Sequence, residues 1–507
     1  MPVYKLFLTA ILFTLINTAF AQENRLVDVG DPVYNYISQL QHHGFLLELN
    51  PTSLPYTQKE IVNGLQKMEE SALTKYEKQW YDLIKNSLKT KEDDSEINSG
   101  FNIKAGSYLG NSRRMDMVRA LGNDLFVYPF AKFGGYIEAS DFIAKAGLRH
   151  SLFYDRDPDG LDAANRLFIR SEDAYLGYNG DWLKIYIGRF HNQWSPIGET
   201  STFLSSNSFS FDQINIRFGS EKLSFRSIIG ELDNISADDV FTGRDFGEDS
   251  KRRFIVAHRF DWRPSRHFGI ALFESVIYSG ENSGLSLKYF NPLHAYTFVA
   301  DNNPKNDENN LLLGGMLWAQ WNGFTVNTQF MLDDLQVEQA TEKNNFAFTS
   351  SLYKAQLLQN VDLGFEFELV SHQAYVAEQS EGRYVFLKKG LATQFNDYIL
   401  SNLYLNIYRG NGFTFTPRLQ WLLQGEQTIN QPQLKTNPDG TPIDLILTGN
   451  EEQTISPSLS FRYQTVPSFW VEANAGVNFI QDVEHQVGIN KSRFAGFIRF
   501  GIDFSVF

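Results

Sequence analysis

The 507-residue sequence contains no cysteine, and this absence excludes several kinds of site. Structural disulfides, thiolate metal centres, cysteine nucleophiles and a lipid-modified N-terminal cysteine all need a thiol. Positive charge is also scarce, since the formal net charge is -14 at pH 7. Proteins that bind nucleic acid neutralise its phosphates with a basic surface, so the composition predicts no nucleic-acid partner.

Long apolar runs are confined to the N-terminus. Lys5 precedes an apolar stretch over residues 6–20, and Ala19 and Ala21 flank Phe20 as small residues. This arrangement predicts a secretory signal peptide over residues 1–21. No later stretch has the roughly 18 consecutive apolar residues of a membrane helix. We therefore expect an exported protein that crosses a membrane only as a β-barrel.

Aromatic residues make up 15 % of the sequence, although only 42 % of all residues are hydrophobic. From residue 100 onwards, apolar and polar residues alternate, most clearly over residues 498–506. This period of two predicts strands with one apolar and one polar face, which is typical of a membrane barrel. We expect the last strand to pair with residues 100–110 and to direct its apolar residues at lipid: Ile498, Phe500, Ile502, Phe504 and Val506.

Turn signals divide residues 100–507 into strands. Eight short turns alternate with nine long polar segments, which predicts seventeen connections and about eighteen strands. Asn322-Gly323 is a typical two-residue hairpin turn. An even strand number places both barrel ends on the periplasmic side, where the short turns lie. The predicted fold class is an all-β transmembrane barrel of about 18 antiparallel strands in the outer membrane of a Gram-negative cell.

Residues 22–99 have a helical pattern instead. Asp31-Pro32 and the capping box from Thr57 to Glu60 predict two helix starts. A third helix follows from the spacing of Leu73, Tyr76, Trp80, Leu83 and Ile84. We predict a small periplasmic α-helical bundle and a charged linker over residues 22–99, followed by the barrel over residues 100–507.

Three aspartates form a candidate cation site. Asp155, Asp157 and Asp159, followed by Gly160, reproduce the first half of a calcium-binding loop. The second half departs from the pattern, because Arg166 occupies the position of the bidentate glutamate. Calcium binding is one hypothesis for this loop, and a solvated acidic turn is the other.

Catalytic motifs are not found. The sequence has no H-E-x-x-H, G-x-S-x-G or phosphate-binding loop, so we predict that the protein is not an enzyme. Charged residues at inward strand positions, such as Glu472, Arg418 and Arg499, are interpreted as lumen charges that neutralise one another. A barrel enzyme whose site is hidden in the sequence is the third alternative for function.

Two stretches mix aromatic, amide and hydroxyl residues without a strand period. Sugar recognition needs this mixture, because flat rings stack on pyranose faces and polar side chains bond hydroxyl groups. Residues 188–211 supply the candidates Arg189, His191, Gln193, Trp194 and Asn207. Residues 289–296 supply Tyr289, Asn291 and His294. The alternative for residues 188–211 is a loop that folds inward and only plugs the barrel.

Several short motifs resemble the Wzi-type capsule assembly family of outer-membrane proteins. They are G-R-F-x-N-Q-W-S-P at 188–196, L-S-S-N-S-F at 204–209, Y-F-N-P-L at 289–293 and F-M-L-D-D at 330–334, in the family's order. The resemblance implies an eighteen-stranded barrel with a periplasmic helical bundle, in agreement with the turns. It also implies a non-enzymatic role in attaching capsular or exopolysaccharide at the cell surface.

The expected partners are capsular or exopolysaccharide and outer-membrane lipid or lipopolysaccharide, and we expect a monomer. The alternative function is a sugar or solute channel. The two differ in whether the loops near 191–210 and 278–310 fold inward and close the lumen. Because the net charge is -14, an anionic polysaccharide needs a local basic site such as Arg189, or a bridging cation at the aspartate loop.

Overall fold

Three helices precede a closed sheet in the computed structural model of the protein. It describes residues 24–88, 97–161, 169–236, 250–280, 284–291, 294–296, 308–333, 344–433 and 443–505. The predicted signal peptide of residues 1–21 and Val506 lie outside the described residues. No helix in the described ranges is long and apolar enough to span a membrane.

The helices are α1 Val33–His42, α2 Gln58–Gln66 and α3 Lys75–Ser87. Thr57 and Glu60 form the predicted capping box at the start of α2, and Thr74 and Glu77 form a second one at α3. The inner faces of the helices share one apolar core, whose fully buried members include Ile37, Leu40, Ile61 and Ile84. The predicted bundle of three helices is therefore confirmed.

Eighteen strands in the described residues pair antiparallel, each with its neighbours along the chain, and β18 pairs with β1 to close the barrel. The strands are β1 Ile97–Gly110, β2 Phe126–Ala139, β3 Phe142–Ser151, β4 Ala174–Asn179, β5 Leu183–Arg189, β6 Asp212–Gly219, β7 Leu223–Glu231, β8 Ser250–Ser265, β9 Phe268–Gly280, β10 Glu308–Trp321, β11 Phe324–Asp333, β12 Asn345–Leu358, β13 Val361–Val370, β14 Tyr398–Arg409, β15 Phe413–Gln424, β16 Glu452–Val466, β17 Phe469–Gln481 and β18 Lys491–Ser505. A short strand, Ile169–Ser171, also pairs with β3. The predicted strand number and the predicted pairing of the last strand with the first are both confirmed.

The barrel wall has an apolar outer face and a polar inner face. Ile498, Phe500 and Phe504 of β18 are exposed on the outer face, as predicted. Trp182 and Trp321, beside two of the short turns, are also exposed and belong to the aromatic rim of a membrane barrel. Strands that lie far apart around the wall therefore all present apolar side chains suited to lipid contact.

The N-terminal segment, residues 24–88, contains the helical bundle and docks inside the barrel at the end with the short turns. Arg259 of β8 donates hydrogen bonds of 2.7 Å to the backbone carbonyl and the hydroxyl of Thr52. Although burial opposes ionisation, Lys184 and Arg217 lower the pKa of Glu60 to about 2. Ion pairs to three other strands join Asp31 to Lys104, Asp28 to Lys132 and Glu60 to Lys184 at 2.6, 2.5 and 2.6 Å.

Candidate functional site

Two outer loops fold into the lumen and pack together there. We call residues 190–211 and 371–397 together the lumen plug. Trp194, Phe203, Tyr375 and Tyr384 of the plug are fully buried. They share one apolar core with lumen-facing residues of the wall, including Phe273. Side chains therefore fill the middle of the barrel next to β9 and its neighbouring strands.

Backbone hydrogen bonds hold the two plug segments together. The amide of Trp194 donates to the carbonyl of Leu204 at 2.9 Å, which closes the first segment on itself. The amide of Ser205 donates to the carbonyl of Leu391 in the second segment at 2.8 Å. The Tyr375 hydroxyl donates to the carbonyl of Thr202 at 2.8 Å. Such buried polar groups specify one arrangement, because each would be costly to leave unpaired.

The wall also fixes the plug. Arg253 of β8 is completely buried and donates to the backbone carbonyls of Glu381 and Val385 at 2.6 and 3.2 Å. The Tyr384 hydroxyl donates to Ser275 Oγ of β9 at 3.1 Å. A buried guanidinium needs several acceptors, and here the plug backbone supplies them.

Gln193 and Trp194 lie inside this core. The backbone of Gln193 pairs with Leu54 of the N-terminal segment, with the Leu54 amide donating at 2.9 Å. The Trp194 ring stacks on Phe273 with ring centroids 5.6 Å apart, and its exposure is 0 %. Neither side chain is open to a saccharide in this structure, and their role in glycan binding stays a prediction.

Arg189 and His191 flank the start of the plug. Arg189 makes a two-pronged ion pair with Asp212, with nitrogen–oxygen distances of 2.8 and 2.5 Å. His191 lies beside Asp28 and Asp173, and ligand atoms of these three residues lie within 4.8 Å of one another. Lys132 contacts both carboxylates and occupies the place of a cation. The cluster therefore ties the N-terminal segment to the wall.

Asn207 is the one exposed member of the predicted plug candidates. Its side-chain amide donates to the carbonyl of Gly390 at 2.8 Å and to Gln394 Oε1 at 3.0 Å. Nearby, the Asn430 amide donates to the carbonyl of Lys388 at 3.1 Å. The plug thus presents amide groups at its surface, where they can bond the hydroxyl groups of a ligand.

The second predicted stretch lies on the opposite face of the wall. We call residues 284–296, as far as they are described, the outer strap. Tyr289 and Tyr296 are fully buried against Phe254 and Tyr278. Phe254 of β8 is next to the lumen-facing Ile255, and Tyr278 of β9 is next to the lumen-facing Ile277, so Phe254 and Tyr278 face outward. The strap therefore covers the lipid side of β8 and β9.

Asn291, which is half-buried, and the exposed His294 therefore lie apart from the plug candidates. The His294 amide donates to the Asn291 carbonyl at 3.1 Å, and the His294 ring bonds the Lys288 carbonyl at 3.1 Å. The eight predicted glycan ligands fall into separate places, and their role as one site stays a prediction.

A polar cluster lies beneath the outer strap. His258 Nδ1 donates to Glu274 Oε1 at 2.8 Å, and the Tyr296 hydroxyl donates to His258 Nε2 at 2.7 Å. The Tyr296 amide donates to the second Glu274 oxygen at 2.9 Å. His258 and Glu274 occupy outward-facing positions that are otherwise apolar. The strand period in the sequence therefore contains a signal for this cluster.

The aspartate loop is engaged with cations from other loops. Asp159 holds Arg114 through two hydrogen bonds of 3.0 and 2.8 Å. Asp157 is buried and lies 2.7 Å from the ammonium of Lys389. Asp155 lies on the short helix Phe153–Arg156. Calcium would have to displace two protein cations, and the calcium hypothesis stays a prediction.

Glu199 is a plug residue that sequence reasoning missed. Its carboxylate accepts from Asn327 of β11 at 2.8 Å. Burial and the nearby Glu366 raise the pKa of Glu199 to about 8. The next residue, Thr200, donates to Glu368 of β13 at 2.7 Å. Carboxylates of the plug and the wall therefore lie close together in the lumen, where a proton on Glu199 reduces their repulsion.

The lumen charges lie near charges of opposite sign, at close range around Glu472 and at longer range between Glu366 and Arg418. Glu472 of β17 is held by Arg462 and Arg499, at 3.1 and 2.8 Å. Arg418 of β15 differs, because its guanidinium lies over the Tyr404 ring at 5.2 Å and its Nε has no hydrogen-bond partner in the described part of the chain.

These features define an outer-membrane β-barrel whose lumen contains a plug and an N-terminal helical bundle. The sequence profile of the family described as capsule assembly protein Wzi matches residues 130–392, slightly more than half of the chain. The chain therefore belongs to the Wzi capsule assembly family. A comparison with curated protein sequences produced no match.

A solved structure of a capsule assembly protein has a similar fold. Wzi of Escherichia coli, described as an outer-membrane protein involved in group 1 capsule assembly and as a carbohydrate-binding β-barrel, is similar with a TM-score of 0.64 and 11 % identity. The alignment covers 96 % of this chain and 99 % of that protein. OccD3 and OpdO of Pseudomonas aeruginosa align over 81 % of this chain and 92 % and 98 % of theirs, each with 9 % identity and TM-scores of 0.45 and 0.47.

Proposed function

We propose that this protein binds capsular or exopolysaccharide and helps to attach it at the outer surface of the cell. The lumen plug is the observation that carries the proposal. Two outer loops fold into the lumen and pack an apolar core around Trp194. Membership of the capsule assembly family, and the carbohydrate binding described for the E. coli relative, support the polysaccharide class of ligand.

The amides at the surface of the plug are the proposed surface for polysaccharide, with Asn207 exposed and Gln394 half-buried. Asn207 and Gln394 bond each other, and Asn430 lies on a neighbouring outer loop. Amide donors and acceptors suit the many hydroxyl groups of a glycan chain, and water-mediated bonds extend their reach. Arg189 adds a basic group, although it must share its charge with Asp212.

We also propose a monomer without catalytic activity. Exposed apolar side chains occur on the outer face of strands all around the wall, for example Phe133, Leu176, Leu352 and Leu419. Lipid can cover such a continuous band, whereas a stable dimer would need a distinct patch. Lipid and lipopolysaccharide are the partners that this surface suits.

Polysaccharide retention tests the proposed function. A strain without the protein should release polysaccharide into the medium, and the wild-type gene should restore cell-bound polysaccharide. The double variant Asn207→Ala, Gln394→Ala should restore it only in part. Gln486→Ala, which removes an exposed amide from another outer loop, is the matched control and should restore it fully. Unchanged retention in the deletion strain would contradict the proposal.

Planar-bilayer conductance separates this function from a channel. The purified protein should show no steady open pore, because the plug and the helical bundle lie in the lumen. Steady openings of the size expected for a porin would favour the solute channel instead.

A further inference from the structure

The barrel wall is not equally tall on all sides. β5 and β6 are seven and eight residues long, whereas β1 and β2 have fourteen residues each and β17 has thirteen. A strand needs about 9–11 residues to cross the hydrocarbon core of a membrane. β5 and β6 therefore end lower than these strands, at the point where the chain turns inward into the first segment of the plug.

The short turns provide a common reference level for the whole wall. Trp182, at the turn between β4 and β5, is 69 % exposed, and Trp321, beside the turn between β10 and β11, is 50 % exposed. Exposed aromatic residues of this kind lie at the border between lipid and water. The number of residues between an outward side chain and its short turn therefore measures height in the membrane, at about 2.5 Å for each residue of a tilted strand.

On β16 and β17, which we call the tall wall, outward apolar residues continue far above the short turns. Ile455 lies eleven residues from Val466, the last residue of β16, and is 39 % exposed. Phe479 lies ten residues from Phe469, the first residue of β17, and is 49 % exposed. Apolar bands of this height match the hydrocarbon core of an outer membrane, which is about 25 Å thick.

On β5, β6 and β7, which we call the short wall, outward charges begin lower. Arg189 lies six residues from Leu183, the first residue of β5. It shares a face with Ile187, which is 54 % exposed, and it lies directly opposite Asp212 of β6. The Arg189 and Asp212 side chains form an ion pair at 2.5 Å and remain 30 % and 59 % exposed. The apolar band of the short wall therefore stops about four residues lower than that of the tall wall.

A second ion pair continues this charged edge. Glu231 lies eight residues from Leu223, the first residue of β7, and directly opposite Asp212. It pairs with Arg252 of β8 at 2.6 Å, and both side chains are about half exposed. The short wall therefore presents both signs of charge to its outer side, at a height where the tall wall is still apolar.

The outer strap shows how outward polar groups are treated on the next two strands. His258 lies seven residues from Ser265, the last residue of β8, and Glu274 lies six residues from Phe268, the first residue of β9. The strap residue Tyr296 covers them and bonds His258. The ion pairs of the short wall differ, because their outer sides are exposed.

We propose that the short wall contacts a locally thinned patch of the outer membrane. Charged side chains are costly in hydrocarbon, and a bilayer beside a low apolar band adapts by becoming thinner. Headgroups and water of the outer leaflet descend by about 10 Å to reach the Arg189–Asp212 pair. The lipid surface thereby comes close to the start of the plug at Phe190. This contact is made with lipid and goes beyond the proposed polysaccharide binding, on which it does not depend.

Thiol accessibility in vesicles of dioleoylphosphatidylcholine tests the proposal on the full-length protein, which has no cysteine of its own. Asp212→Cys on the short wall and Leu459→Cys on the tall wall each lie seven residues from the short-turn end of their strands. A charged methanethiosulfonate reagent should label Asp212→Cys at least tenfold faster, because it reacts only where water reaches the thiol. Rates in urea normalise the two thiols. Equal rates in vesicles, whether fast or slow, would overturn the proposal.

Replacement of the ion pair tests the cause of the thinning without a thiol. The folded fraction of the wild type, read from heat-modifiable mobility on gels, should fall from dilauroyl- to dioleoylphosphatidylcholine vesicles. Arg189→Leu with Asp212→Leu raises the apolar band and should remove at least half of that fall. Lys67→Leu with Glu221→Leu is the matched control, because it removes an exposed ion pair on the periplasmic side, and it should behave like the wild type. A fall of wild-type size in the Arg189 and Asp212 double variant would contradict the proposal.

Discussion

Trp194 shows how burial changes the interpretation of a single residue. Its ring has no exposed surface and packs between Phe273 and Arg259, whose guanidinium lies 5.7 Å from the ring centre. Trp194→Ala should cost about 3–5 kcal/mol of plug stability, because it leaves a cavity in a packed core. Urea titration followed by protease cleavage within residues 190–211 measures this loss.

Trp182→Ala is the control for Trp194→Ala, because Trp182 is 69 % exposed at the barrel rim. It should leave the urea midpoint of plug cleavage unchanged. If Trp194→Ala also leaves that midpoint unchanged but releases polysaccharide from cells, Trp194 acts as a glycan ligand and its packing contributes little.

His42 and His43 are adjacent, but their surroundings shift their pKa values in opposite directions. Burial lowers the pKa of His42 to about 4, and its ring stacks on Tyr353 of the wall. Burial opposes protonation of His43 too, but bonds to Asp362 and Glu77, at 3.0 and 2.6 Å, raise its pKa to about 9. Neutral His42 and charged His43 therefore both favour the docked bundle.

Docking of the bundle should be most stable near pH 6.5. The His43 contribution, at most about 3 kcal/mol, is complete below its ordinary pKa of 6.5 and is lost as the pH rises through about 9. The His42 contribution is complete above pH 6.5 and is lost as the pH falls through about 4. The urea midpoint for protease release of residues 24–88, measured from pH 4 to pH 10, checks both limits.

Single variants separate the two limits of this pH profile. His43→Gln should remove the loss at high pH and keep the loss at low pH. His42→Phe should weaken the loss at low pH and keep the loss at high pH, because the ring stack on Tyr353 remains possible. Part of the acid loss remains in His42→Phe, since His43 and Thr74 hold the pKa of Glu77 below its ordinary value despite burial. A flat profile in the wild type would contradict the prediction.

At the scale of elements, the outer strap depends on the polar cluster beneath it. Tyr296→Phe removes the hydroxyl that donates to His258 and leaves a ring nitrogen unpaired on the lipid side. The cost should be about 1–3 kcal/mol, enough to loosen the strap. Because the chain has no cysteine, Leu285→Cys at an exposed strap position provides a unique thiol, to which a label can be attached. The labelled strap should become cleavable by protease added to intact cells when Tyr296→Phe is present.

The control places the labelled thiol on another outer loop, at Val487→Cys, where the wild-type residue is 74 % exposed. Cleavage of that loop by protease should be the same with and without Tyr296→Phe. Unchanged protection of the strap in Tyr296→Phe would show that Tyr289 and the apolar contacts hold it alone.

The strands and short turns could be predicted because their signals are local. A period of two over ten or more residues, ended by a pair such as Asn322-Gly323, determines a hairpin without knowledge of distant residues. The path of a long loop depends on contacts far along the chain, such as Tyr375 with Thr202. The sequence therefore supports two alternatives for residues 188–211, and it contains no local signal that places Tyr289 on the outer wall.

Arg418 shows the same limit. The strand period predicts that Arg418 faces the lumen, and that prediction is confirmed, since Arg418 lines a lumen cavity together with Ser458 and Glu472. Which charge it meets depends on strands far along the chain, because it interacts with Glu366 of β13. The interpretation that lumen charges neutralise one another is correct for Glu472 with Arg499, and Glu366 with Arg418 follows it at longer range.

At the scale of the whole molecule, the bundle and the plug occupy different levels of the lumen. The N-terminal segment and bundle contact wall residues around the ring, from Lys104 of β1 and Arg263 of β8 to Gln464 of β16. The plug lies nearer the outer loops and meets the N-terminal segment where Gln193 pairs with Leu54. Because the bundle contacts the wall around the ring, loss of the plug alone should leave the bundle to close the barrel.

Conductance of deletion variants tests this arrangement. Replacing residues 373–396 by a short Gly-Ser linker should leave the bilayer silent, because the bundle still covers the periplasmic end. Deleting residues 24–88 should produce small openings, because the plug leaves a cavity beside β15 to β18 and the Tyr36–Gln464 contact is lost. The combined deletion should conduct most, since eighteen strands without filling enclose an aqueous channel. Large openings after the loop replacement alone would show that the plug is the principal barrier and that the bundle leaves a free path beside it.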